Sequence, residues 1–411
     1  MQKIIPLLLL FVLSLVACES SKDLPAPVDN PIIDCNEMPE ACNVTSSNNA
    51  FGFKLFQTLH DEAPESNLFI SPLSVATALT MTVNGAKGQT KADMMATLEQ
   101  NDIDLAQVND GFKQLLLLLP SLDPEVQVQL ANSLWYRLGF NVRQEFLDVN
   151  AEHFSSEVAE LDFSNPAARE TINAWVNDNT NGLIESIIDE PIGADVVMYL
   201  INAIYFKGTW LHEFDPEQTF DTEFKLQDGS TTNVEMMSYG QTLLNYFETE
   251  TFQAADLPYG DSTYTMSVLL PKPGNTVDDI VSQLNNTHWG QWADSYVYQD
   301  MYFSMPKFEM EYKESFVKVL SQLGMGIAFT GACDLTGIAD ADLMIDDVIH
   351  KSFIEVNEAG TEAAAVTAVV IVETSAPQIP TMYLDQPFVF VIRENQANNV
   401  LFIGKMMNPN G

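Results

Sequence analysis

The 411-residue chain is 46% hydrophobic, enough apolar material for a sizeable core, which argues against disorder of the whole chain. Its 18 basic and 57 acidic side chains leave a formal net charge of −39. That balance argues against nucleic acid or a heparin-like polyanion as partner, since neutralising phosphate or sulfate takes clustered Lys and Arg; it reads as a solubility feature or an adaptation to salt.

The first eighteen residues form a separate device. Lys3 supplies a short basic start, Ile4 to Val16 make an apolar run too short to span a bilayer comfortably, and small Ala17 precedes Cys18. Leu15-Val16-Ala17-Cys18 resembles the lipobox of bacterial lipoproteins, in which Cys18 becomes the lipidated first residue; an ordinary secretory signal is the alternative. Either reading places the protein outside the cytoplasm. The lipobox adds a bacterial cell envelope, an outer-membrane lipoprotein facing the periplasm or the outside, and the membrane as a partner through the anchor. Residues 19–49, rich in Ser, Pro, Asp and Asn without an apolar period, are expected to be a flexible tether. Cys35 and Cys42 within it can pair in an oxidising compartment as a local staple, and Cys333 is expected to be a buried, inert thiol.

Beyond the tether, residues 50–411 read as one large domain. Phe53, Leu55, Phe56 and Leu59 have helical spacing, and Asn67 to Pro72 reads as a short strand running into a turn. Ser71-Pro72-Leu73-Ser74 opens a helix over Val75 to Val83, closed by Asn84-Gly85. Another helix ends at Leu116 to Leu119, Val126-Val128-Leu130 alternates as a strand, and Arg169 to Asn179 reads as helix. Val196 to Phe206 is expected to be a buried strand of a large sheet. From Thr219 the chain turns mostly to strand: Phe224-Leu226, Val234-Met236, Phe247, Ala254 to Pro258 and Tyr264 to Leu270. Helix returns at Ser315 to Met325, with Phe316, Leu320 and Leu323 on one face, and strands close the chain at Ser352 to Val356, Phe388 to Ile392 and Val400 to Ile403. Helices early and strands late predict an α+β fold with mostly antiparallel sheets.

No catalytic or metal-binding pattern emerges. The five histidines, His60, His153, His212, His288 and His350, form no His-Glu-x-x-His spacing. Gly260-Asp261-Ser262-Thr263-Tyr264 lacks the second glycine of a nucleophile elbow, and Gly85 to Thr90 lacks the Walker A spacing. The expectation is no catalytic residue, no metal and no cofactor.

The segment from Glu358 to Ser375 is the most informative. It opens on small residues, continues as a strand-forming run, and ends in the polar Glu373-Thr374-Ser375 before Ala376-Pro377. Together with Asn67 to Ser74, Gly85-Ala86 with Gly88 and Thr90, Asn202 to Trp210, Val234 to Met237, Leu257-Pro258-Tyr259, Met305 to Phe308, Leu323-Gly324-Met325 with Ala328-Phe329, His350-Lys351, Pro387 to Phe390 and Leu401 to Lys405, it resembles the serpin family. The resemblance runs from about residue 50 to the C-terminus, and it is the order and spacing of these segments that make it specific.

The resemblance implies a monomer with three sheets, about nine helices and an exposed reactive-centre loop. It also implies an inhibitor acting as a suicide substrate: a protease attacks the loop, and the cleaved loop inserts as a new strand of the main sheet before the acyl-enzyme hydrolyses. The hinge would be Glu358, Gly360, Thr361, Glu362, Ala363, Ala364 and Ala365. The shutter under the sheet would be Ser71, Ser74, Asn202 and His350, and the breach where the loop enters would be at Trp210. Counting from Glu358 places the reactive bond at Thr374-Ser375; Val372-Glu373 and Glu373-Thr374 are the alternatives. Thr or Val would suit an elastase-type pocket, Glu373 an acid-specific one, and tolerant subtilisin-like enzymes or cysteine proteases are further targets. The residues themselves are compatible with insertion. In an extended strand Thr361, Ala363, Ala365, Thr367, Val369 and Ile371 share one face, without a charge among them, and burying Val369 and Ile371 stabilises the inserted state by roughly 1.5–3 kcal/mol each.

Overall fold

The computed structural model describes residues 31–361 and 379–411. The N-terminal half alternates helix and strand: α1 (Pro39–Glu62), β1 (Leu68–Ile70), α2 (Pro72–Val83), α3 (Gly88–Thr97), α4 (Leu105–Leu118), β2 (Val126–Arg137), α5 (Gln144–Phe154), β3 (Glu157–Leu161), α6 (Ala167–Asn179) and β4 (Met198–Thr209). Strands then dominate, with β5 (Phe220–Lys225), β6 (Thr231–Glu248), β7 (Phe252–Tyr259) and β8 (Tyr264–Pro271). Two short helices, α7 (Val277–Val281) and α8 (Asn286–Ala293), lead to β9 (Val297–Pro306), β10 (Phe308–Ser315) and α9 (Val317–Leu320). The last strands are β11 (Ile349–Val356), β12 (Gly360–Thr361), β13 (Thr381–Tyr383), β14 (Phe388–Glu394) and β15 (Val400–Met406).

Local chemistry sets several boundaries. The Ser71 side chain accepts from the Ser74 N–H and Pro72 occupies the first helical position, so α2 starts where a cap and a preset φ coincide. Thr276 and Asp279 form a reciprocal capping box that opens α7.

Among the described residues the strands form three sheets. The largest runs β1-β15-β14-β8-β7-β6-β9-β13, with β5 on β6; a second runs β12-β4-β2-β3; β10 and β11 pair alone. Helix α2 packs between β4 and β15. Phe206 of β4 and Phe402 of β15 belong to the main core, whereas Trp135 of β2 and Ile201 of β4 join Ile172 and Val176 of α6 in a second core. The expected α+β fold of three sheets and nine helices is what the described residues form.

Three expectations are corrected. The tether does not reach residue 49, because α1 already starts at Pro39 and buries Ala41 and Val44. Its polar composition misled because the polar groups are themselves buried: the Asn49 amide donates to the Asn398 carbonyl (2.8 Å) and accepts from the Val400 N–H (3.0 Å). Cys35 and Cys42 are disulfide-bonded, tying the chain ahead of α1 to its first turn. The helix expected from Ser315 to Met325 is four residues of α9 followed by a wider π turn, broken at Gly324 with φ 122°. Cys333 is half-buried rather than buried; its thiol donates to the Leu343 carbonyl, and desolvation pushes its pKa up. No helix among the described residues is long and apolar enough to cross a membrane.

Candidate functional site

The site begins as a break in the sheet order. Strand β4 pairs with β2 from Val126↔Gly208 to Tyr136↔Met198, and β11 pairs with β10 along its whole length. Among the described residues no ladder joins β4 to β11; on that side β4 is paired only at Thr209 and Gly208, by Gly360 and Thr361 of β12. A narrow cleft lies there, lined by Ile204, Phe206, Phe353, Ile354 and Phe402 together with Thr180, Tyr205 and Thr361. Its walls are mostly apolar, which suits the core-facing side chains of an added strand.

The chain reaches this cleft through a tight turn after β11. Asn357 and Gly360 exchange backbone hydrogen bonds of 3.0 and 3.2 Å, which reverses the chain so that β12 runs antiparallel to β4. Gly360 has φ 141°, and a Cβ on it would lie 2.3 Å from the Gly208 carbonyl oxygen; only glycine fits so close to β4. Trp210, just past the end of β4, is buried and stacked on Tyr259 at 4.4 Å and clasps the turn: its Nε1 donates to the Asn357 carbonyl and its backbone N–H to the Ala359 carbonyl, both at 3.0 Å. Thr361 is buried with its Oγ1 3.0 Å from the Tyr259 hydroxyl, consistent with the inward orientation expected of the hinge face.

Glu358 is anchored at the apex of the turn. Its carboxylate receives Lys307 Nζ at 2.8 Å and Thr219 Oγ1 at 2.7 Å, and its carbonyl accepts from the Phe214 N–H at 2.8 Å. Burial pushes this carboxyl up, but the bonds from Lys307 and Thr219 outweigh it and hold the pKa below the usual range. A side chain tied to two other segments fixes where the loop departs.

Beneath the cleft, three of the four expected shutter residues come together. The Ser71 N–H donates to His350 Nε2 at 3.2 Å, Ser71 Oγ accepts from the Ser74 N–H at 3.2 Å, and all three residues are buried. Nε2 must therefore be unprotonated, and burial lowers the His350 pKa to about 3, so the ring is neutral and stacks on Phe316 at 5.3 Å. The neighbouring Ser352 hydroxyl donates to the Phe69 carbonyl at 2.6 Å. Asn202 is not hydrogen-bonded to this group. It faces Asn132 across the β2–β4 ladder and donates to it at 2.7 Å, leaving its own Oδ1 buried and unpartnered.

Cys18, Glu362, Ala363, Ala364, Ala365, Val372, Glu373, Thr374 and Ser375 lie outside the described residues. Sequence reasoning missed Lys307, Thr219, Tyr259 and Asn357 as parts of the hinge. Lys307 and Tyr259 lie in the motifs quoted for the resemblance, but nothing local to them says that they meet Glu358 and Thr361.

Comparison with known proteins agrees with this architecture. The family profile described as Serpin (serine protease inhibitor) matches residues 46–409. Iripin-8 of Ixodes ricinus is 33% identical over 378 residues, covering 88% of this chain and 92% of that protein. The leukocyte elastase inhibitor of Bos taurus is 32% identical over 377 residues, covering 89% and 99%. The native state of tengpin, a thermophilic serpin, superposes with a TM-score of 0.81 at 30% identity, covering 93% of this chain and 96% of its own. Human thyroxine-binding globulin complexed with thyroxine superposes with a TM-score of 0.81 at 26% identity, covering 90% and 99%.

Proposed function

The chain belongs to the serpin family, a family of protease inhibitors rather than of catalysts, and from that membership we propose that it traps serine proteases as covalent acyl-enzymes. The observation that carries this reading is the start of β12 on the edge of β4, beside a cleft between β4 and β11. In this mechanism the protease serine attacks the carbonyl of Thr374. An ester forms between the two, the Thr374-Ser375 peptide bond breaks, and the Ser375 amine leaves with a proton. The freed loop then continues the strand that Gly360 and Thr361 begin and carries the esterified protease with it. Targets are of the elastase or subtilisin type, with cysteine proteases as a wider class, and Val372-Glu373 or Glu373-Thr374 are the other candidate bonds. A lipid on Cys18 would hold the inhibitor, as a monomer, on a bacterial envelope.

Incubation with pancreatic elastase or subtilisin is expected to give a complex that survives denaturing electrophoresis, and mass spectrometry of the released peptide should begin it at Ser375. Clean loop cleavage with no complex at any enzyme ratio, with serine and cysteine proteases alike, would sink this reading. The likeness to thyroxine-binding globulin supports a second one, a non-inhibitory binding protein on the same scaffold. It predicts that cleaving the loop leaves the melting temperature unchanged, whereas insertion raises it.

A further inference from the structure

Asp123, in the loop between α4 and β2, is a carboxylate only 1% exposed, with no cation beside it among the described residues. Its Oδ1 accepts the Glu125 N–H at 2.8 Å and its Oδ2 the Asp261 N–H at 3.0 Å. Asp261 belongs to the turn that joins β7 to β8. Gly260 of the same turn, with φ 47°, approaches so closely that a Cβ on it would lie 2.3 Å from Asp123 Oδ2. The exposed Asp261 carboxyl is hydrogen-bonded to that of Asp123, and its Oδ1 accepts the Thr263 N–H at 3.0 Å. The other ionisable groups here bring no positive charge: Tyr264 of β8 donates its hydroxyl to the Leu119 carbonyl, Glu394 of β14 lies near it, and Glu125 follows in the loop. Two ionised carboxylates are acceptors only, so a bond between them needs a proton. Desolvation pushes the Asp123 pKa up, and the Asp261 carboxyl adds to it, against the two N–H bonds that lower it.

The pair sits where two strands meet the largest sheet. The Asp123 carbonyl accepts the Val126 N–H at 3.3 Å at the start of β2, and Val126 pairs with Gly208 of β4. The Gly260 N–H donates to the Thr209 carbonyl at 3.0 Å, and the Leu211 N–H to the Pro258 carbonyl at 2.8 Å. Gly208 and Thr209 are also the residues that β12 pairs with, so this end of β2 and β4 borders the cleft. We propose that Asp123 and Asp261 share one proton and form an acid-strengthened clasp, which holds the end of β2 and β4 to the β7–β8 turn and loosens when both carboxyls ionise. A folded pKa above the unfolded one makes the contribution complete below the unfolded value near 4 and lost as pH rises through the folded value. The clasp is independent of the reading of the chain as a protease inhibitor.

Asp261→Asn tests it, because the amide keeps an oxygen for the Thr263 N–H and gives Asp123 a permanent donor in place of the shared proton. The chain and this variant are compared by denaturant unfolding between pH 4 and pH 7.5. At pH 7.5 the wild-type unfolding constant should be about tenfold the variant's, and the ratio should approach one as pH falls toward 4. Hydrogen exchange, compared at equal pH, should find peptides spanning 123–128 and 258–264 about tenfold better protected in the variant at pH 7.5, and equally protected near pH 4. Asp221→Asn, which removes an exposed carboxylate from β5, should do neither.

Parallel unfolding profiles overturn the proposal, as does a variant less stable than wild type at pH 7.5. So does an equal gain in Asp221→Asn, because the gain then comes from lowering the net charge of −39. Added protection confined to other segments also overturns it, since the end of β2 and β4 is then not what the proton holds.

Discussion

His350 shows how burial turns one side chain into a pH-sensitive component. Its folded pKa, about 3, lies below the value near 6.5 of an exposed histidine. The unfolded chain therefore takes up the proton first: the contribution of the neutral ring is complete above about pH 6.5 and is lost as pH falls toward 3, at about 1.4 kcal/mol per pH unit. His350→Gln removes that dependence. The stability difference between wild type and variant, from denaturant unfolding, should shift by about 2 kcal/mol in the variant's favour between pH 6.5 and pH 5; parallel pH profiles would contradict the assignment. Ser71, Ser74 and His350 were legible in the sequence as members of one polar group. Asn202 was grouped with them, but its position on β4 turns it to Asn132. The partners of Glu358 were not legible, because Lys307 and Thr219 approach it only once separate strands are laid side by side.

The hinge turn and β12 form the element on which the proposed insertion would depend. Thr361 occupies a buried position against Tyr259, with Phe206 and Ile354 lining the same cleft. Thr361→Arg puts an ion into that apolar cleft, where an unpaired charge costs several kcal/mol. Insertion should then lose its race with hydrolysis, and denaturing gels with elastase should show mostly cleaved chain in place of complex; an unchanged complex yield would refute the inward orientation. The alternation from Thr361 was readable from residue types alone, since a strand's side-chain period is two. That Gly360 must be glycine was readable only as a preference for small residues. The reason is a backbone contact with Gly208, which no local pattern encodes.

Across the whole molecule, the net charge of −39 acts at longer range than any of these contacts. Like charges on a compact body repel one another more than on an expanded chain, and salt screens them over about 10 Å at 0.1 M. The melting temperature of the intact chain is expected to rise by several degrees between about 10 mM and 0.5 M sodium chloride; a flat or falling trend would show that local ion pairs such as Lys307 with Glu358 outweigh the global repulsion. From the sequence alone came the family resemblance, the α+β class and the face of the loop that can enter a sheet, because these follow from local periodicity and from motifs in order along one chain. Only the tertiary structure decided that residues 39–49 are helix, that Lys307 and Thr219 hold Glu358, and that Asn202 faces Asn132. Each of these depends on which distant segments are brought together, and burial of polar side chains by remote partners leaves no local signature in the chain.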